Sequence, residues 1–228
     1  MSFKFTYYGH GTFGLDIQGL KLLIDPYFSD NPATKTKPAD LDPDYLLITH
    51  GHGDHVGDAV EIFQRTGAKV IANFEVANWL SERGAEVYPQ HIGGGHDYPF
   101  GYVKLTQAIH GSSLPDGSYG GMPGGFLITI PDGKKIYLAG DTGLFAGMSL
   151  IGEEGIHLAL LPIGDNFTMG PDDALRAVKM IKPKYAIPAH YNTWDLIAQD
   201  PDAWKKRVEA ETDTVVYVLQ PDTSMDFK

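Results

Sequence analysis

The chain has 228 residues and no Cys, and its 18 Lys and Arg against 29 Asp and Glu give a formal net charge of −11. That length suits one domain over 1–228, able to bury about 70% of its unfolded surface without a covalent staple. The missing Cys excludes disulfides, thiol nucleophiles, Fe–S clusters and thiolate zinc sites, and the acidity argues against a polynucleotide partner, which needs a basic face.

Hairpin-like strands are predicted first, from short β-branched and aromatic runs at 3–8, 12–17 and 21–24. A β/α alternation follows: strand 45–49, helix 57–65, strand 69–72, helix 75–83. Hairpin strands return at 101–109, 126–130 and 135–139. A second alternation then comprises helix 144–150, strand 158–163, helix 171–181, strand 184–188, helix 201–210 and strand 214–219. Pro171 followed by Asp172 and Asp173 marks a helix start, because a first-turn proline lacks only a dispensable N–H and acids favour the positive end. The chain thus reads as two similar halves. Strands such as LLIT and LALL are apolar on both faces and need cover on both sides, which an α/β fold of four layers, an αββα sandwich, provides. No basic n-region with an apolar stretch opens the sequence, and no apolar run is long enough to span a bilayer. A soluble cytoplasmic protein with no membrane partner is therefore expected.

Chemistry concentrates in THGHGDHVGD, Thr49 to Asp58, directly after the YLLIT strand. Alternate residues of an extended chain face one side, so His50 and His52 can present two imidazoles to one cation. Asp54 and His55 follow as the chain turns into a helix, where they can face a second cation. Open sheets place their sites beyond the carboxyl ends of strands, and further ligand types occur there: His110 after GYVKLTQAI, Asp141 after KIYLAG, His190 after KYAIPA. With no thiolate available, any metal is held by His and carboxylate.

The set His50, His52, Asp54, His55, His110, Asp141 and His190 resembles that of the metallo-β-lactamase superfamily, and the likeness covers essentially the whole chain. The opening FTYYGHGTFGLDI with KLLIDP, and the segment PIGDNFTMGPDDALRAVKMIKPKYAIPAHYNTW, are similar to the metal-dependent hydrolases related to L-ascorbate-6-phosphate lactonase. The resemblance implies His50, His52 and His110 on one metal, Asp54, His55 and His190 on a second, and Asp141 bridging. It also implies an early acidic residue, Asp25 in LLIDP, that orients a ligating His by accepting its hydrogen bond. His10 in GHGTF lies near the metal cleft by the same likeness and is expected to contact substrate or move a proton. His91, His96 and His157 fit no part of the pattern and read as surface or structural residues.

The resemblance implies a hydrolase in which two divalent ions, Zn or Mn first and Fe or Ni next, bring the pKa of a shared water near neutrality. Asp54 is expected to orient the nucleophile and His10 to protonate the leaving group. Asn166, Thr168, Tyr191 and Asn192 are expected to meet the substrate. The glycine-rich 111–125 loop reads equally as a mobile lid or as a flexible loop without contact. The dications leave the protein acidic but make the cleft locally positive, which points to a small anionic metabolite: a phosphoester, lactone or related ester. A nuclease or cyclic-nucleotide phosphodiesterase and a metal-binding sensor without turnover are the alternatives. Likeness to assembled relatives also implies a homo-oligomer.

Overall fold

A computed structural model describes residues 2–228. The amino-terminal half contains β1 (Phe3–Gly9), β2 (Thr12–Ile17), β3 (Leu20–Ile24), β4 (Tyr45–Ile48), α1 (Gly53–Val56), α2 (Ala59–Thr66), β5 (Lys69–Asn73), α3 (Phe74–Ser81) and β6 (Val87–Gln90). The remainder contains β7 (Gly95–Tyr98), β8 (Gly101–Gln107), β9 (Gly124–Thr129), β10 (Lys135–Leu138), α4 (Met148–Glu153), β11 (Leu158–Pro162), α5 (Pro171–Ile181), β12 (Tyr185–Ala189), α6 (Pro201–Glu211), β13 (Val215–Val216) and β14 (Thr223–Phe227). Two seven-stranded sheets result, ordered β14-β1-β2-β3-β4-β5-β6 and β13-β12-β11-β10-β9-β8-β7.

Three apolar layers separate four layers of structure. Alternating side chains of β1 and β2, such as Phe3, Phe5 and Leu15, meet Val103, Phe126, Ile128 and Ile187 of the other sheet in the central core. The outer faces of β4 and β5 are covered by Val56, Ile62, Phe63, Val76 and Leu80 of α1 to α3. Those of β10 to β12 are covered by Met148, Leu175, Val178, Trp204 and Val208 of α4 to α6. This is the αββα sandwich that the two-faced apolarity of LLIT and LALL requires.

Strand direction gathers the ligand-type residues at one edge. β3 pairs parallel with β4, and β1 shares that direction through two antiparallel pairings across β2. β8 is likewise parallel in sense to β10 through β9, and β10 to β12 are parallel. The carboxyl ends of β1, β3 and β4 are followed by His10, Asp25 and His50, and those of β8, β10 and β12 by His110, Asp141 and His190.

Several predicted boundaries move. The helix predicted over 57–65 begins only at Ala59 and a separate unpredicted turn, α1, precedes it, because Gly57 between them sits at φ 40°, where a Cβ would overlap the Pro26 carbonyl oxygen. The 214–219 strand shrinks to two residues. β6, β7 and β14 were not predicted: VYPQ, GHDY and TSMDF carry too little apolar alternation, and each forms by pairing with a neighbour already in place. Among the described residues no helix is long and apolar enough to cross a membrane.

Candidate metal centre

The turn after β4 holds His50 and His52 as the geometry of extended chain dictates: His50 Nε2 and His52 Nδ1 lie 3.0 Å apart. The His110 ring stands 5.1 Å from that of His50 and 5.0 Å from that of His52, centroid to centroid and nearly perpendicular to each. Ligand atoms of these three rings all lie within 4.8 Å of one another, as do those of His10, Asp54, His55 and His190 in a second group. Asp141 lies between the groups. Its Oδ2 is 3.0 Å from His190 Nε2, 3.3 Å from His55 Nε2 and 3.6 Å from His110 Nε2.

A hydrogen-bonded chain beneath the cluster turns the rings. Buried Asp25 accepts from the Thr49 N–H at 2.8 Å, from the Thr49 hydroxyl at 2.6 Å and from His55 Nδ1 at 2.8 Å. Since the Thr49 hydroxyl donates to Asp25, its lone pair receives His50 Nδ1–H at 3.0 Å. One carboxylate therefore orients two imidazoles through their Nδ1–H groups and aims both Nε2 atoms into the cluster. Asp25 sits at φ 46°, His10 at 55° and His190 at 53°. Such left-handed backbone at three non-glycine residues around one cluster is strain held in place by the surrounding structure.

His10 belongs to the cluster and is fully buried. Its Nε2 is 3.1 Å from Asp54 Oδ2 and its Nδ1 2.8 Å from Thr193 Oγ1, and its carbonyl accepts the His190 N–H at 2.9 Å. Burial pushes its pKa down to about 4 despite the Asp54 hydrogen bond, so the ring is neutral at physiological pH. Burial also holds His50 well below the ordinary range and lowers His52 and His110. Burial acts the same way on His55, but the carboxylates of Asp141 and Asp25 outweigh it and raise that ring well above its usual value. For Asp54 and Asp141 burial alone would favour the neutral acid. The His10 and His55 rings outweigh it at Asp54, and the His190 and His55 rings at Asp141, so both carboxyls lie below their usual range.

The donor set fits a metal. Buried carboxylates are tolerated when paired, yet among the described residues the side chains of Asp141 and Asp25 find imidazole and Thr49 partners and no Lys or Arg. His55 Nε2 and both ring nitrogens of His190 are buried without a hydrogen-bond partner. Unpartnered ring nitrogens gathered beside carboxylate oxygens match the N and O donor set that a divalent cation requires.

The four expected substrate contacts are dispersed. Asn166 is exposed in the loop after β11, with its N–H turned to Asp165 Oδ1, and the hydroxyl of half-buried Thr168 donates to the Met169 carbonyl. Tyr191 is half-buried and its ring packs against the core under α5 and α6. Asn192 Oδ1 accepts the Gln199 N–H and closes its own loop. His91 stacks on Phe74, His96 on Tyr88, and His157 edge-on against Tyr185, all away from the cluster residues. Sequence reasoning passed over Thr49, Thr193 and Trp194, whose ring centroid lies 4.8 Å from that of His10. Only Thr49, adjacent to His50 at a strand end, carried a local signal.

A family model described as "Beta-lactamase superfamily domain" matches residues 21–191. The chain belongs to the metallo-β-lactamase superfamily. It is 52% identical over 225 residues to a UPF0173 metal-dependent hydrolase of Desulforamulus reducens, covering 96% of this chain and 97% of that one. A relative of the same description from Pelotomaculum thermopropionicum is 49% identical, covering 98% and 99%. Among solved structures, the metallo-hydrolase Igni18 of Ignicoccus hospitalis superposes with a TM-score of 0.92 at 39% identity, covering 100% of this chain and 99% of that one. This superfamily member is a metal-dependent hydrolase.

Proposed function

We propose that the chain binds two divalent cations, one through His50, His52 and His110 and one through Asp54, His55 and His190, with Asp141 shared. We further propose that it hydrolyses an ester, lactone or phosphoester of a small molecule within a single domain, 1–228. The observation that carries this reading is the position of Asp141 Oδ2, within 3.6 Å of imidazole nitrogens from both groups. Bound divalent metal supplies Lewis acidity and a hydroxide nucleophile at neutral pH. Zn and Mn suit the His and Asp donors best, with Fe and Ni next.

The protein's own groups position this chemistry. Asp54 is half-buried, and His10 Nε2 holds its Oδ2, leaving Oδ1 to accept a hydrogen bond from the attacking water and orient it. With both nitrogens engaged and its ring buried, His10 acts by positioning Asp54 instead of donating a proton to the leaving group. Thr193 supports it from behind: the carboxylate needs a donor, so the proton sits on Nε2 and the Thr193 hydroxyl donates to Nδ1.

Metal-stripped and metal-restored protein, assayed against carboxylic esters, lactones, thioesters, phosphomonoesters, phosphodiesters and short oligonucleotides, tests the reading. Hydrolysis of at least one small-molecule class is expected to vanish on stripping and return with Zn or Mn. Cleavage confined to oligonucleotides would transfer the reading to a nuclease, and metal uptake with no turnover on any of them would transfer it to a sensor.

A further inference from the structure

The loops around the cluster say what sort of molecule it is shaped to receive. Ile109 precedes His110, and its N–H donates to Thr142 Oγ1 at 2.9 Å. Its carbonyl accepts from Gly143, and the Thr142 carbonyl accepts from Met169. These bonds stitch the loops after β8, β10 and β11 together beside Asp141. The loop after β12 completes the rim, where Trp194 stands against His10.

No cationic side chain belongs to these segments. The sequence has no Lys or Arg between Lys4 and Lys21, Lys37 and Arg65, Lys104 and Lys134, Lys135 and Arg176, or Lys184 and Lys205, the stretches that contain every cluster histidine together with Asp54 and Asp141. Arg83 reaches the 111–123 loop from α3's end, but Asp116 holds it at 3.5 Å and the Trp79 ring lies 3.4 Å beneath it. Backbone amides do not take its place. The N–H groups of Asn166, Phe167 and Thr168 all turn to Asp165, and those of Gly117 and Gly120 to Leu114 and Ser112. At the start of α5, Asp172 and Asp173 already answer the helix dipole. A phosphate is normally held by guanidinium forks or free amides at a helix start; these loop segments carry no Lys or Arg, and the amides named above are already engaged.

What the rim presents is apolar. Among the described residues, ten large apolar side chains are exposed, and six of them, Ile109, Tyr119, Met122, Phe167, Trp194 and Leu196, lie on the loops after β8, β11 and β12. Exposed apolar surface gathered at the mouth of a polar cluster marks a ligand face. Exposed Asp165 and Asp195 make the same loops unfavourable to an anion.

We propose that the substrate is an uncharged carboxylic ester or lactone whose alkyl or aryl group lies against Trp194, Phe167 and Ile109. This deepens the hydrolase reading above and rests on it. It replaces the expectation of an anionic substrate, which followed from metal charge alone. In the reaction the oxygen of water bonds to the acyl carbon, the acyl C–O bond breaks, and the alkoxy oxygen leaves with a proton. The carboxylate and remaining proton pass to solvent, and the acidic rim favours release of that product.

The test uses metal-loaded protein with 4-nitrophenyl acetate, butyrate and hexanoate, 4-nitrophenyl phosphate and bis(4-nitrophenyl) phosphate. From acetate to hexanoate kcat/KM is expected to rise about tenfold or more, as burial of added methylenes dictates. Both phosphate esters should fall below the acetate. Trp194→Ala and Phe167→Ala should each flatten the rise to under about threefold, with metal content unchanged. Independently of turnover, N-(4-nitrophenyl)hexanamide should quench tryptophan emission of the parent and not of Trp194→Phe. A flat or falling chain-length profile, or a phosphate ester cleaved faster than the hexanoate, overturns the proposal and leaves the hydrolase reading standing. Absence of metal-dependent turnover on these compounds and on the lactones and thioesters of the wider panel overturns both.

Discussion

Asp141→Asn is expected to lower kcat/KM by about a thousandfold or more and to reduce bound metal, while leaving the fold intact. Asn has the size and shape of Asp but no charge, so the change isolates electrostatics from packing. Asp141 is the carboxylate nearest to imidazoles of both groups, with nitrogens at 3.0, 3.3 and 3.6 Å from one oxygen. Losing several kcal/mol of charge stabilisation corresponds to about three powers of ten in rate. His52→Ala, which removes one ring of the group formed by His50, His52 and His110, should also lose metal and activity. Elemental analysis beside initial rates checks both variants, with circular dichroism as the control on folding. Full activity in a metal-depleted variant would refute the assignment.

The second large effect is expected one layer deeper. Asp25→Ala removes an acceptor from three buried donors, the Thr49 N–H, the Thr49 hydroxyl and His55 Nδ1–H. A buried donor left unpaired costs about 1–3 kcal/mol, so a total of about 3–5 kcal/mol is expected for this partly shared set. Alanine at φ 46° adds backbone strain. Denaturant unfolding of metal-free protein measures this loss. The milder Asp25→Asn keeps an acceptor but weakens the hold on His50 and His55, and a metal titration should show affinity down by about 10–100-fold. Parental stability and affinity in both variants would mean that Asp25 does not set the ring orientations.

Spacing and strand-end position made most of the cluster legible. His50 and His52 alternate on extended chain, and the ends of apolar runs place His110, Asp141 and His190 where parallel strands deliver them to one edge. His10 was legible only as a residue near the cleft. Its engagement with Asp54 and Thr193 depends on how the loop after β12 crosses the end of β1, which no local pattern records. Asp25 was expected to orient one ring, but the Thr49 relay to a second depends on a hydroxyl's rotation. Tyr191 shows the converse limit. Adjacency to His190 suggested a substrate contact, but His190 bends the chain at φ 53° and the half-buried Tyr191 ring packs against the outer core. In the fold, strands with apolar alternation were readable from the sequence. β7, nearly all exposed, and β14, whose Phe227 pairs with Phe3, owe their existence to the strands beside them.

The dinuclear reading is tested most directly by counting metal. Protein stripped of metal and titrated with Zn or Mn, with bound equivalents and ester hydrolysis followed together, is predicted to take up two equivalents per chain and to reach its full rate only as the second binds. His52→Ala is predicted to saturate at one. Saturation of the parent at a single equivalent with full activity would contradict the account.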